Sequence, residues 1–464
     1  MHDNARIESD STQPLGKGQI AMERAGGRFT RRDFLRLGGA GVAGASLLGL
    51  YGCGGGGSSG AQIDWASWAN SGEATRFREY TDKFMQDHPD IQVTYTPTPI
   101  YDDYHPKILT QLNGGTAPDA FYAGDIWVAQ FIKNETIKPL NKLMNGPNSA
   151  AKPEDFADGL WGPARLDDGT IYGVTVDCNP TVLWYNKGVL EEAGISDDPR
   201  QIYESGEWKW DVLLQMSEQV ASSGNTNGLM FENGINWFYS WCRQNGGKPF
   251  DGETCVFNED AKSVEAFQWM YDNIESGAFT YAGNLPTGQT SDAQFNSNRA
   301  AFVQAGRWVL PVFKQNTSLE YDVVPFPTNT DNDMEPGWVA TAYMVMNNQT
   351  ENEKAAFEFL TNFTGPEGQS FRLQESGNAV PSVLQGADDL VTKGSDPEGS
   401  QYFLDVRDSG IVGYADLTVP GLPEDIQDLF EKELWLKNAP GDVQATLDGA
   451  AQTINQRIEE NRNG

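Results

Sequence analysis

Between residues 63 and 123 two periodicities alternate over very short connections, and this alternation narrows the architectures open to the chain. Residues 63–68 are apolar and strand-like. In 73–86, Ala74, Phe77, Tyr80, Phe84 and Met85 recur at helical spacing. His88-Pro89-Asp90 stops that helix, and Ile91-Gln92-Val93-Thr94-Tyr95 alternates as a strand does. A second helix over 101–112 ends at Asn113-Gly114-Gly115, and 119–123 reads as another strand. Strands separated by helices over such short links predict an α/β fold with a mainly parallel sheet flanked by helices. In such sheets ligands bind beyond the carboxyl ends of the strands. Residues 68–73 and 122–127 are therefore expected at a binding mouth.

Further along, 171–177 and 182–187 are apolar β-rich runs separated by Cys178-Asn179-Pro180-Thr181. Helices are expected over 208–220, 237–244 and 261–274, strands over 321–325 and 339–346, and helices over 350–361 and 442–460. No fixed-period repeat is present, which excludes solenoids and propellers.

The amino-terminal part carries an address. Thr30-Arg31-Arg32-Asp33-Phe34-Leu35-Arg36 precedes a glycine-rich apolar run, then Leu50-Tyr51-Gly52-Cys53 and the spacer Gly54-Gly55-Gly56-Gly57-Ser58-Ser59-Gly60. The run 37–50 is short for ~30 Å of hydrocarbon. The order resembles a twin-arginine export signal joined to a lipobox, in which Cys53 is acylated and becomes the mature terminus. Tyr51 departs from the small residue usual before Gly-Cys, and Met22 is an alternative start. The expectation is a signal over 1–52, a flexible linker over 53–61 and a protein tethered by its lipid anchor to the outer face of the cell membrane.

Beyond residue 52 stand 26 Lys/Arg against 60 Asp/Glu, a formal charge of −34. Such a surface repels phosphate backbones, so nucleic acid is excluded as a partner. Adhesion to anionic lipid is disfavoured for the same reason, leaving the acyl group as the tether. The remaining 412 residues exceed what one core organises, so two lobes are expected. Cys178, Cys242 and Cys255 remain besides Cys53. Cys242 and Cys255 flank the turn-rich 246–252, and a bridge between them is the favoured reading. With no adjacent histidine, neither a zinc site nor any other metal or cofactor is expected.

Several segments together resemble the solute-binding proteins of carbohydrate ABC importers, the maltose-binding-like extracellular family. They are Phe84-Met85-Gln86-Asp87-His88-Pro89-Asp90-Ile91-Gln92-Val93, then Tyr172-Gly173-Val174-Thr175-Val176-Asp177 with Leu183-Trp184-Tyr185-Asn186-Lys187. Phe295-Asn296-Ser297-Asn298-Arg299-Ala300-Ala301-Phe302 follows with Gly306-Arg307-Trp308. The series ends with Glu353-Lys354-Ala355-Ala356-Phe357-Glu358-Phe359-Leu360 and Gly377-Asn378-Ala379-Val380-Pro381-Ser382. The resemblance implies a two-lobed periplasmic-binding-protein-like fold with several hinge crossings. One lobe would combine 62–176 with 342–378, the other 177–341 with 379–464. It implies a monomer that closes on a sugar or oligosaccharide and is then recognised by ABC permease subunits.

Sugars present C–H faces ringed by hydroxyls, so their sites need aromatic plates with fixed donors and acceptors. On that basis, and by the resemblance, the ligand-binding candidates are Trp68, Glu73, Tyr122, Asp125, Asp177, Trp237, Trp241, Trp308 and Trp338. Each has a plainer alternative. Trp68 reads equally as core, Glu73 as a first-turn helix carboxylate and Asp177 as a turn residue. Trp237 and Trp241, four apart, would look the same as a core stripe. Trp338 stands where the family often carries a glycine pair, a departure expected to narrow the cleft. Concentration of the 13 tryptophans at loop starts favours stacking on a ligand.

No catalytic residue is assigned and an enzyme is not expected. Among so many acidic residues no pair identifies a glycosidase, and neither H-E-x-x-H nor a P-loop is present. A secreted glycoside hydrolase is the weaker alternative; a binder of peptide, polyamine or anion is the stronger. His88 and His105, beside prolines, read as surface residues unsuited to ferric capture.

Overall fold

The computed structural model describes residues 60–463, apart from Asn225, Thr287, Gly288, Glu375, Ser376, Gln385, Gly386, Ala387 and Ser395. The twin-arginine and lipobox reading, Cys53 and all of the Gly/Ser spacer but Gly60 lie outside these residues.

Two five-stranded sheets organise the chain. In the first, β1 (Ala61–Trp68), β2 (Ile91–Thr98) and β3 (Ala120–Gly124) run parallel. β4 (Gly173–Pro180) closes this sheet, with order β2-β1-β3-β12-β4. Its reversed member, β12 (Val339–Met346), comes from far along the chain and is antiparallel to both β3 and β4. The second sheet contains β5 (Val182–Asn186), β6 (Asn227–Phe231), β9 (Phe279–Tyr281), β10 (Ala300–Ala305) and β11 (Tyr321–Val324), in the order β11-β5-β10-β6-β9. Here β5 is the reversed strand. A hairpin of β7 (Phe250–Asp251) and β8 (Thr254–Cys255) stands apart.

Each sheet therefore has four strands in one direction and one against, the same plan twice. The expected mainly parallel sheet is borne out, with β1 to β4 running one way and β12 alone reversed. A strand returning from the other lobe enters directly beside β3, with no crossover helix to reverse it.

The helices form where the periodicity predicts, with bounds set by caps. Asn70 caps helix Ser71–Asp87 in a capping box: its Oδ1 accepts from Gly72 N and Glu73 N, and Glu73 Oε2 accepts from Asn70 N at 2.8 Å. Helix Tyr101–Gly114 ends on Gly115, whose φ of 68° is the left-handed conformation glycine adopts freely. Helix Asp125–Lys133 starts directly from β3, placing Asp125 at its positive end.

Each sheet has its own core. Trp65, Phe77, Tyr104, Phe121, Phe359 and Phe363 pack the first lobe. Leu229, Phe231, Phe238, Phe267, Phe430 and Trp435 pack the second. The chain crosses between sheets at Thr181, between β4 and β5, and again before β12. There Trp338 O accepts from Thr181 N at 3.0 Å. A third segment, near 380, pairs both ways with Cys178.

Two cysteine and histidine expectations are corrected. Cys242 and Cys255 are free thiols, buried in the second lobe, and no bridge joins them. His105 is fully buried: its Nε2 accepts from Gly124 N at 3.1 Å and its ring stacks on Trp127. Burial holds this imidazole neutral. His88 is half-buried against Phe84, with Nδ1 2.9 Å from Glu358. Among the described residues no helix is long and apolar enough to cross a membrane.

Candidate functional site at the junction of the two lobes

The strand directions decide which side chains meet. In the first sheet β1, β3 and β4 deliver Trp68, Gly124-Asp125 and Pro180 to one edge. The reversed β12 starts at that edge, since Val339 pairs with Pro180, so Trp338 belongs to it too. In the second sheet β6 and β10 deliver helix Ile235–Gln244 and Gly306-Arg307-Trp308 to the edge where β5 begins. The two edges meet. Asn70 Nδ2 donates to Trp308 O at 2.9 Å, and Pro311 lies against Gly72. The turn Ala415–Thr418 packs on helix Asp125–Lys133.

Of the expected residues, Trp237, Trp308 and Trp338 come together. Trp237 stands edge-on to Trp338 at 4.8 Å and near Trp308 at 6.5 Å. Trp308 and Trp338 are half-buried, as is Trp68. Trp68 lies edge-on to Tyr101 at 5.0 Å and Tyr122 at 5.3 Å. Tyr122 is 4% exposed and its hydroxyl has no hydrogen-bond partner.

Asp125 is 5% exposed; Oδ1 accepts from Ile126 N at 2.9 Å, and Oδ2 has no partner. Burial pushes its carboxyl up to about 7, against the pull of the Ile126 amide and the nearby Trp338 indole.

Two candidates are committed to the scaffold. Both Glu73 oxygens accept from the protein, one from Asn70 N and the other from Asn378 Nδ2 at 2.9 Å. Burial still pushes this acid up to about 7. Asp177 is paired with Arg372, 3.1 Å from its Nη1. Arg372 also donates to Val176 O and lies over the Phe363 ring, pinning helix Pro366–Leu373 to β4. Burial raises the Asp177 carboxyl and Arg372 opposes this.

Trp241 is not at the junction. It is fully buried between Trp210, Trp269 and Phe326, with Nε1 donating to Gln304 at 3.1 Å. The broader inference from tryptophan placement is corrected with it. Eight of the 13 are buried, and only Trp68, Trp127, Trp269, Trp308 and Trp338 are half-buried.

The sequence reading missed Tyr101, Asp416 and Glu424. Asp416, fully buried, accepts from Tyr239 Oη at 3.0 Å through Oδ2, leaving Oδ1 without a partner. Burial pushes it up to about 6. Glu424 has both oxygens buried and unpartnered, and burial pushes it up to about 7, with Asp425 and Asp125 adding to the rise. Both lie in 383–441, where the sequence reading placed no element; the available clue for Glu424 was the Gly-Leu-Pro start at 421–423, with Leu422, Ile426 and Phe430 at helical spacing. Among the described residues no cluster of His, Cys, Asp and Glu could hold a metal ion.

The family model for bacterial extracellular solute-binding proteins matches residues 68–370, from the tryptophan at this junction to the helix that bears Arg372. The chain belongs to that family. Putative binding proteins of Brucella abortus and Brucella suis are 25% identical over 170 residues, 35% of this chain. The chain spans only 38% of the length of those relatives. The sn-glycerol-3-phosphate-binding periplasmic protein of Yersinia enterocolitica is 24% identical over 310 residues, 62% of this chain and 66% of that protein.

Solved structures share the fold. An ABC substrate-binding protein of Listeria monocytogenes in complex with cycloalternan superposes with a TM-score of 0.74 at 19% identity, over 86% of this chain and 99% of that one. UgpB of Mycobacterium tuberculosis in complex with glycerophosphocholine gives 0.71 at 18% identity, over 87% and 100%.

Proposed function

We propose that this protein is the substrate-binding component of an ABC importer, capturing a sugar or oligosaccharide between its lobes and delivering it to membrane permease subunits. The observation that carries the reading is the junction itself. Half-buried indole rings from both lobes stand beside buried polar atoms that no protein group satisfies. Buried polar groups are almost always paired, so a set left unpaired where two lobes meet calls for a ligand. Indole plates take the C–H faces of a sugar, and the unpaired atoms take its hydroxyls.

In this reading the contact residues are Trp68, Tyr101, Tyr122, Asp125, Trp237, Trp308 and Trp338, with Asp416 and Glu424 from the facing lobe. Glu73 and Asp177 hold the site's walls. The first lobe combines 62–176 with 342–378 and the second 177–341 with 379–464. The protein works as a monomer, exported by a twin-arginine signal and tethered through acylated Cys53, and it has no enzymatic activity.

A second reading, a glycerophosphate-like ligand, is favoured by the Yersinia relatives' name. The carboxylates at the junction weigh against it.

A thermal-shift panel of mono- and oligosaccharides, with sn-glycerol 3-phosphate, peptides and polyamines as controls, tests the proposal. Binding restricted to the folded state stabilises by RT ln(1 + [L]/Kd), so a true ligand raises the melting temperature. A rise with peptides or polyamines and none with carbohydrates would overturn it.

A further inference from the structure

The unpartnered atoms at the junction are unbalanced in both hydrogen-bonding capacity and charge. Asp125 Oδ2 comes from the first lobe, and Asp416 Oδ1 with both Glu424 oxygens from the second. All four are buried acceptors on carboxylates. The turn that carries Asp416 packs on the helix that Asp125 opens and on helix Leu422–Phe430, which carries Glu424, so the three acids share one neighbourhood, and each raises the next. Arg457 reaches the same neighbourhood weakly, because its guanidinium is engaged by Asp425 and by Pro420 O.

One further group borders these carboxylates, and the unpartnered Tyr122 hydroxyl lies further into the first lobe, towards Asp177 and Glu73. Trp338 Nε1 is buried and faces Asp125, whose carboxyl it lowers as a donor does, so this indole is the protein's own donor to the group. The unpartnered Tyr122 hydroxyl belongs to a ring sharing Trp68 as neighbour with Tyr101, whose own hydroxyl lies against Gly124.

Burial pushes these acids up to about 6 or 7, so a neutral polyol meets them largely protonated, whereas a cation draws them into the ionised form and gains charge-assisted hydrogen bonds. A phosphate would add negative charge beside them, and like charges brought together across an interface are costly. A protonated amine supplies three donors and a positive charge.

We infer that the cleft selects a ligand carrying a protonated amine on a hydroxylated carbohydrate frame, an amino sugar or its oligomers, and rejects phosphorylated analogues. The inference rests on the junction being the ligand cleft. Asp125, Asp416 and Glu424 are its specificity-determining residues.

The test is calorimetric titration of the folded protein at neutral pH with glucosamine and chitosan oligosaccharides, their N-acetylated counterparts, maltooligosaccharides and sn-glycerol 3-phosphate. The amines should bind about tenfold or more tighter than their N-acetylated forms, and the phosphate not at all. Asp125→Asn and Glu424→Gln, close in shape to the native acids, should each shrink that preference. Acetylated or neutral sugars binding as tightly as the amines would overturn this inference and leave the importer reading standing. No binding by any carbohydrate would overturn both. An amine preference untouched by either substitution would refute the residue assignment, and the wild-type comparison remains decisive if a variant fails to fold.

Discussion

Asp125 shows what a single buried acid does to both stability and recognition. Folding raises its carboxyl from an ordinary 3.8 to about 7. An acid raised in this way contributes fully below its unfolded pKa and loses that contribution as pH climbs through the folded value. Groups facing it are Asp416 on the opposing turn, Glu424 on helix Leu422–Phe430 and Tyr101. Ligand-free Asp125→Asn protein should therefore match wild type near pH 4. It should gain on it up to about pH 7, by about 2–4 kcal/mol at the plateau. Melting curves across that range check this, and a constant difference would refute it. The free thiols give a second residue-scale expectation. Alkylation in denaturant without reductant should modify Cys178, Cys242 and Cys255 alike, as mass spectrometry would show. An unmodified Cys242–Cys255 pair would restore the bridge the sequence favoured.

Elements were the level most legible beforehand. β1, β2, β3 and the helices between them were readable because each carries a full period of apolar residues and a recognisable stop, such as His88-Pro89 or Gly114-Gly115. β6 and β9, by contrast, are short and buried among helices, so their apolar residues merge into the surrounding periodicity. Site residues fared according to their distance from a clear strand end. Asp125 and Trp308 follow β3 and β10 closely, and their place at the junction was legible. Trp241, on a helix facing the core, gave the same four-residue spacing as a ligand stripe. Asp416 and Glu424 depend on tertiary approach alone. Two element-scale outcomes follow. Asn70→Ala removes a capping box and the inter-lobe bond to Trp308, and should cost about 1 kcal/mol in chemical denaturation. Arg372→Leu leaves Asp177 buried and unpaired, and should cost about 3–5 kcal/mol. Adding Asp177→Asn should recover part of that loss, whereas a purely additive double variant would contradict the pairing.

At the scale of the whole molecule, two copies of one sheet plan put the carboxyl edges of their strands face to face. The chain passes between them at Thr181, before β12 and near residue 380. The facing groups are largely indoles and acids, and under the proposed function a ligand would supply donors to them and shift the population towards the closed arrangement. The junction's aromatic wall is the decisive part of this account. Calorimetric titration of a carbohydrate that binds wild type, repeated with Trp338→Ala and Trp308→Ala proteins whose circular dichroism is native, tests it most directly. Affinity should fall by about tenfold or more in each variant. Unchanged affinity in both would place the ligand elsewhere and contradict the account.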